Sequence, residues 1–179
     1  MGCVWRAIFF RYLPHRARLT HLQVGSTDCG KRLDVMDQRV SLITLGVEDL
    51  EKAAVFYECL GWKRVDSPDG VVVYDLIGQA LGLYPKAALA EELGMTKDDI
   101  GGFSGITLAH NLSAKEDVAP LLERAEKAGG RILKPAQEVF WGGYHGYFAD
   151  LDGHVWEIAY NPFAPLSEAG AFCWNGYSE

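Results

Sequence analysis

Residues 41–62 read SLITLGVEDLEKAAVFYECLGW, and this stretch decides the fold. Ser41–Val47 is a β-rich run in which Ser41, Ile43, Leu45 and Val47 share one face, and Leu42, Thr44 and Gly46 the other. Asp49–Leu60 then takes helical spacing. Asp49 is placed as N-cap, Ala53, Phe56, Tyr57 and Leu60 form an apolar stripe, and Gly61 stops the helix. Three short strands are expected next, at Trp62–Val65, Val71–Leu76 and Gln79–Tyr84, with a turn at Ser67-Pro68-Asp69-Gly70. The same order returns downstream. Ile106–His110 is the β-run and Ser113–Ala128 the helix, with Ser113 and Glu116 spaced as a capping box. Pro120 within that helix points either to a kink or to a start near Asp117. Strands at Arg131–Ala136, Tyr144–Ala149 and Val155–Tyr160 complete the second copy. Each unit covers one sheet face with its own helix and leaves the other bare, so two units placed together enclose a cleft.

The expected organisation is a basic extension over residues 1–38, a first βαβββ module over 39–84, and a linker or flap over 85–103. A second module over 104–162 and a tail over 163–179 follow. The chain has 179 residues and a formal charge of -7. Residues 1–35 hold six Lys/Arg and two Asp/Glu, leaving eleven and twenty-two beyond, a charge of -11 on the repeated part. That balance argues against nucleic acid or an anionic membrane as partner. No apolar run reaches the roughly 20 residues of a membrane helix. Four cysteines (Cys3, Cys29, Cys59, Cys173) lack metal-knuckle or redox spacing, and a cytoplasmic, reducing setting is expected. The Arg-rich start reads as a targeting peptide, a basic arm, or sequence upstream of a native start at Met36. The position of Met36 just before the first strand favours the third, with residues 1–35 disordered or loosely attached.

The pieces FYECLGW and GYFADLDGHVWEI resemble the vicinal oxygen chelate superfamily, which includes glyoxalase I, bleomycin- and fosfomycin-resistance proteins and extradiol dioxygenases. The resemblance spans about residues 40 to 162. It implies an α+β fold of two paired βαβββ modules, a curved mixed sheet around a cleft, and a homodimer. It also implies a divalent metal bound by the first and last strands of each module. Carried onto this chain, those positions are Leu42, Gly82, Gly105 and Glu157. Only Glu157 is a donor, and a catalytic divalent ion takes about three protein ligands. No metal cofactor is therefore expected.

Glu157 is read as a general base or hydrogen-bond acceptor on the cleft floor. Tyr147 matches a substrate-contacting tyrosine of the fosfomycin-resistance branch, and His145 shares its strand face. Thr44 and Thr107 each follow an absent ligand by two residues. Leu42, Gly82 and Gly105 rebuild the cleft and leave volume where a metal would sit. Trp141 offers an aromatic contact. His110 and His154 are expected to be structural. The expected function is binding of a small apolar or aromatic molecule in the inter-module cleft, without the usual metal. The alternatives are a lyase or isomerase using Glu157 as base and Tyr147 as electrophilic partner, and a metal-dependent glyoxalase or dioxygenase with relocated ligands.

Overall fold

The structure, a computed structural model, describes Met36 and residues 38–174. The expectations for residues 1–35 lie outside the described residues. Seven strands and three helices follow in the order β1 (Leu42–Val47), α1 (Leu50–Cys59), β2 (Val72–Leu76), β3 (Gln79–Pro85), α2 (Lys86–Leu93), β4 (Thr107–Asn111), α3 (Val118–Lys127), β5 (Arg131–Glu138), β6 (Tyr144–Ala149) and β7 (Val155–Tyr160). They form two mixed sheets, β1-β3-β2 and β4-β7-β6-β5. In each, the first strand runs parallel to the last of its copy, β1 with β3 and β4 with β7. The chain therefore adopts the α+β architecture of two β-α-β units expected from the repeat.

The copies differ where local chemistry intervenes. The strand expected at Trp62–Val65 shrinks to a single bridge, Val65 to Val73. The Trp62 N–H is spent closing α1, on the Tyr57 carbonyl at 3.2 Å, and its indole stacks on Tyr57 at 5.3 Å. The first sheet consequently has three strands and the second four. At α1, the Asp49 carboxylate accepts the Lys52 N–H at 3.1 Å, the cap the sequence suggests. The expected capping box of Ser113 and Glu116 does not form. A 3-10 turn occupies Lys115–Asp117, and α3 begins at Val118 without a side-chain cap. Pro120 falls in the first turn of α3, where a missing N–H costs no helical bond.

One core serves both copies. Ala53, Ala54, Phe56 and Tyr57 of α1 pack among Leu45 and Val47 of β1, Leu81 and Leu83 of β3, and Phe148 and Trp156 of the second sheet. Val118, Leu122 and Ala125 are the buried stripe of α3. Each large apolar side chain so buried contributes about 1.5–3 kcal/mol. The burial of Leu45 and Val47 fixes the faces of β1 as the alternation requires. Its other face is partly roofed by α2. A Cβ at Gly46 would lie 3.0 Å from the Leu89 side chain and 3.7 Å from Ile100, so close approach of this helix needs glycine there. Residues 85–103, expected as a linker or flap, thus carry a helix that packs on the first sheet. No helix among the described residues is long and apolar enough to cross a membrane.

Candidate functional site

The residues of the FY and D-x-DGH pieces fall into two separate clusters. The first is buried. Tyr57 donates its hydroxyl to Asp150 Oδ2 at 2.5 Å, and Trp156 Nε1 donates to the Tyr57 oxygen at 3.2 Å. Asp150 Oδ1 accepts the backbone N–H groups of Asp152 at 3.0 Å and His154 at 2.9 Å. Burial, reinforced by the Asp150 charge, pushes the Tyr57 phenol well above its ordinary range. Two further bonds tie the same turn to the end of β1: Glu48 N–H to Asp152 Oδ1 at 2.7 Å, and His154 Nε2 to the Gly46 carbonyl at 3.0 Å. His154, expected as a turn residue, thus ties its turn to β1. His110 of β4 stands in register with Ile158 and is exposed, and the partial desolvation it meets there lowers its imidazole pKa.

The second cluster lies on the opposite face of the four-stranded sheet. Residues paired across strands share a face, so the registers lay this face out in rows. One row reads Thr107, Val155, Ala149, Arg131; the next Ala109, Glu157, Tyr147, Lys134; the third Asn111, Ala159, His145, Gln137. Within it Glu157 Oε1 accepts the Tyr147 hydroxyl at 2.9 Å and meets His145 Nδ1 at 2.6 Å. The His145 and Tyr147 rings contact edge-to-face with centroids 5.1 Å apart. Burial, then the bond to the Glu157 carboxylate and its charge, pushes the Tyr147 phenol up to about 12. His145 Nε2 is buried and has no hydrogen-bond partner among the described residues. Whether that nitrogen donates or accepts follows the tautomer and protonation of the ring. Glu157 Oε2 likewise takes no bond from the described residues. The cluster therefore offers an unused carboxylate oxygen and an unpartnered imidazole nitrogen beside a neutral tyrosine.

A cavity of about 510 Å³ adjoins it. Its wall includes Tyr147, Thr107, Phe103, Leu133, Arg131 and Lys134. The volume falls within the range of small-molecule sites. Of the residues proposed from sequence, the structure brings together Glu157, Tyr147 and His145, and Thr107 shares the cavity with Tyr147. The others lie elsewhere. Leu42 and Gly82 are on the three-stranded sheet, where the Leu42 side chain stands 3.5 Å from the place of a Gly82 Cβ. Thr44 lines a different cavity of about 230 Å³, beside Leu89 and Ile100. Gly105 precedes β4 at φ +80°, a left-handed conformation that any side chain would strain. Trp141 folds over Gly143 in the β5–β6 loop and is outside the wall of the 510 Å³ cavity. That wall is built from the second copy and the preceding linker, Gly102 and Phe103 included.

Arg131, Leu133, Lys134 and Phe103 were not singled out from sequence. The first three sit on β5, whose pairing with β6 slips twice, between Ile132 and Lys134 and between Lys134 and Gln137. Simple alternation assigns Arg131 and Lys134 to opposite faces. Pro135 was the available signal, because proline inside a strand marks an edge or a bulge.

A divalent metal does not fit the positions where the resemblance implies ligands. Leu42, Gly82 and Gly105 have no donor side chain, and Glu157 already receives two protein groups. Among the described residues no three His, Cys, Asp or Glu side chains are grouped to hold one.

No curated protein matches the chain. A glyoxalase-related enzyme from Fulvimarina pelagi is 41% identical, with a TM-score of 0.71 over 78% of this chain and 99% of that one. Two more distant structures share the fold. A glyoxalase/bleomycin resistance protein/dioxygenase family enzyme from Burkholderia phytofirmans has 18% identity and a TM-score of 0.61, over 67% of this chain and 96% of its own. A fosfomycin resistance protein from Listeria monocytogenes has 23% identity and a TM-score of 0.55, over 70% and 95%. The family model for this group matches residues 39–158, and the chain belongs to the Glyoxalase/Bleomycin resistance protein/Dioxygenase superfamily.

Proposed function

We propose that the protein binds a small organic molecule on the open face of its four-stranded sheet, with Tyr147, Glu157 and His145 as the polar anchor and no metal. The observation that carries this reading is the hydrogen-bonded cluster itself. A carboxylate with a free oxygen and an imidazole with an unpartnered buried nitrogen join Tyr147, which lines a cavity whose wall includes Phe103, Leu133 and Val155. An unsatisfied buried polar atom such as His145 Nε2 is costly unless something meets it. A ligand bearing O–H or N–H groups on an apolar body would do so. The test is a thermal-shift screen of small apolar and aromatic compounds against the wild type, Glu157→Gln and Tyr147→Phe. Compounds that raise the wild-type Tm are expected to lose that effect in both variants. Hits that stabilise all three proteins equally would sink the reading. The reading includes a homodimer, checked by sedimentation equilibrium.

A second reading, a lyase or isomerase, has one observation in its favour. The 2.6 Å contact between Glu157 and His145 is a carboxylate–imidazole pair of the kind that takes and passes protons. In this reading Glu157 removes a proton next to a carbonyl and Tyr147 donates to the developing oxyanion. Deuterium uptake from D₂O into candidate carbonyl compounds, followed by NMR, tests it. Uptake absent from wild type, or unchanged in Glu157→Gln, removes it.

A further inference from the structure

We propose that the ligand of this cavity is an anion, a carboxylate or phosphate ester on an apolar body, whose charged group is held by Arg131 and Lys134. The proposal rests on the reading above, that the 510 Å³ cavity is the ligand site. Its own support is the construction of β5. In a regular strand, residues three apart point to opposite faces. The extra residue between Ile132 and Lys134 turns Lys134 back to the face that carries Arg131, next to Tyr147 in register. Bulges that re-aim side chains in this way recur beside binding sites. The Lys134 ammonium stands 5.9 Å from the centroid of the Tyr147 ring. Leu133, the extra residue between Ile132 and Lys134, joins both cations in the cavity wall.

The charge pattern makes the pair conspicuous. Residues 36–179 carry twice as many acidic as basic side chains. Lys52, Arg64, Lys97, Lys115 and Lys127 each have a carboxylate partner. Lys63, Lys86, Arg124, Arg131 and Lys134 have none among the described residues; of these, Arg131 and Lys134 are the two that line this cavity, and no Asp or Glu contributes to its wall. Two cations gathered without a counter-charge in an acidic domain form a site for an exogenous one. Tyr147, kept neutral, stands between Lys134 and the Glu157 carboxylate in the same row. Two strand spacings separate that lysine and glutamate, about 10 Å. A ligand spanning them has an acidic group at one end, a hydrogen-bond donor at the other, and an apolar middle against Leu133, Val155 and Phe103.

The experiment compares matched probes, 4-hydroxyphenylacetate, 4-hydroxyphenyl phosphate and the neutral 4-hydroxyphenylacetamide, by calorimetric titration of the full chain. Both anions are expected to bind at least about tenfold more tightly than the amide, the scale of one charge-assisted contact. That preference should vanish in the Arg131→Gln/Lys134→Gln double variant, and the amide's affinity should stay the same. Raising salt on the wild type should weaken the anions and leave the amide unchanged, a readout that needs no variant. Either order between carboxylate and phosphate supports the proposal and names the head group. Equal affinity for acid and amide overturns the anion assignment and leaves the cavity reading standing. An acid preference that survives the double variant also overturns it. If no probe binds at 10 mM, both fall.

Discussion

Asp150 and Glu157 are close in sequence, each accepts a tyrosine hydroxyl, and they differ in what remains to be bound. Asp150 is 6% exposed, and three donors from Tyr57, Asp152 and His154 occupy its two oxygens. Trp156 closes the set by donating to the tyrosine. Nothing there is left for a ligand, and the network joins α1 to the β6–β7 turn across the core. Glu157 sits one face over, a quarter exposed, with one oxygen doubly engaged and the other unused. The first carboxylate is saturated by its own chain and acts as a strut. The second is half-satisfied and bonded to Tyr147, which lines a cavity. Two carboxylates of one family motif are thus separated into structure and site by how many donors the fold brings to each.

The contrast can be broken from the structural side first. Asp150→Ala leaves the buried Tyr57 hydroxyl and two part-buried backbone N–H groups without an acceptor. The expected loss is about 3–5 kcal/mol of unfolding free energy, measured by urea titration. A loss below 1 kcal/mol would mean that water replaces the carboxylate. Trp156→Phe removes the donor to Tyr57 and part of a buried ring and should cost about 1 kcal/mol for that bond, plus the volume lost. On the site side, Glu157→Gln keeps an acceptor for Tyr147 and should change stability by less than about 0.5 kcal/mol. Its effect is expected on ligand-induced stabilisation instead.

The smallest effect sharpens the electrostatics. Tyr147 is raised to about 12 by burial and by Glu157. A phenol whose folded pKa exceeds its unfolded value near 10 lends stability that is fully present below pH 10 and lost as pH rises toward 12. Tyr147→Phe should flatten that part of the stability profile. In Glu157→Gln, ultraviolet titration should show the Tyr147 midpoint moving down toward 10, since its carboxylate cause is gone. An unmoved midpoint would assign the shift to burial alone.

How much of this is legible in the sequence depends on the period involved. The two copies of a strand, a helix and further strands follow from regular apolar spacing, and the parity of His145 and Tyr147 places them on one face. The Asp150–Gly153 turn then sets Glu157 opposite Tyr147. Positions ruled by irregularity were not legible. Arg131 and Lys134 share a face only because β5 bulges, which alternation cannot show. Tyr57 and Asp150, 93 residues apart, meet through tertiary packing, so the sequence marks both as motif residues without separating strut from site. Leu42 and Gly82, read as one wall of a common cleft with Glu157, stand together on the other sheet. The strand expected at Trp62–Val65 gave way to a tryptophan that the core claims.

The most direct measurement is paired urea unfolding of Tyr57→Phe and Tyr147→Phe, two identical substitutions at the two carboxylates. The account expects Tyr57→Phe to lose about 2–3 kcal/mol, because a buried carboxylate loses its partner, and Tyr147→Phe to stay within about 0.5 kcal/mol of wild type. Equal losses, or a larger loss at Tyr147, would contradict the division of the motif into strut and site.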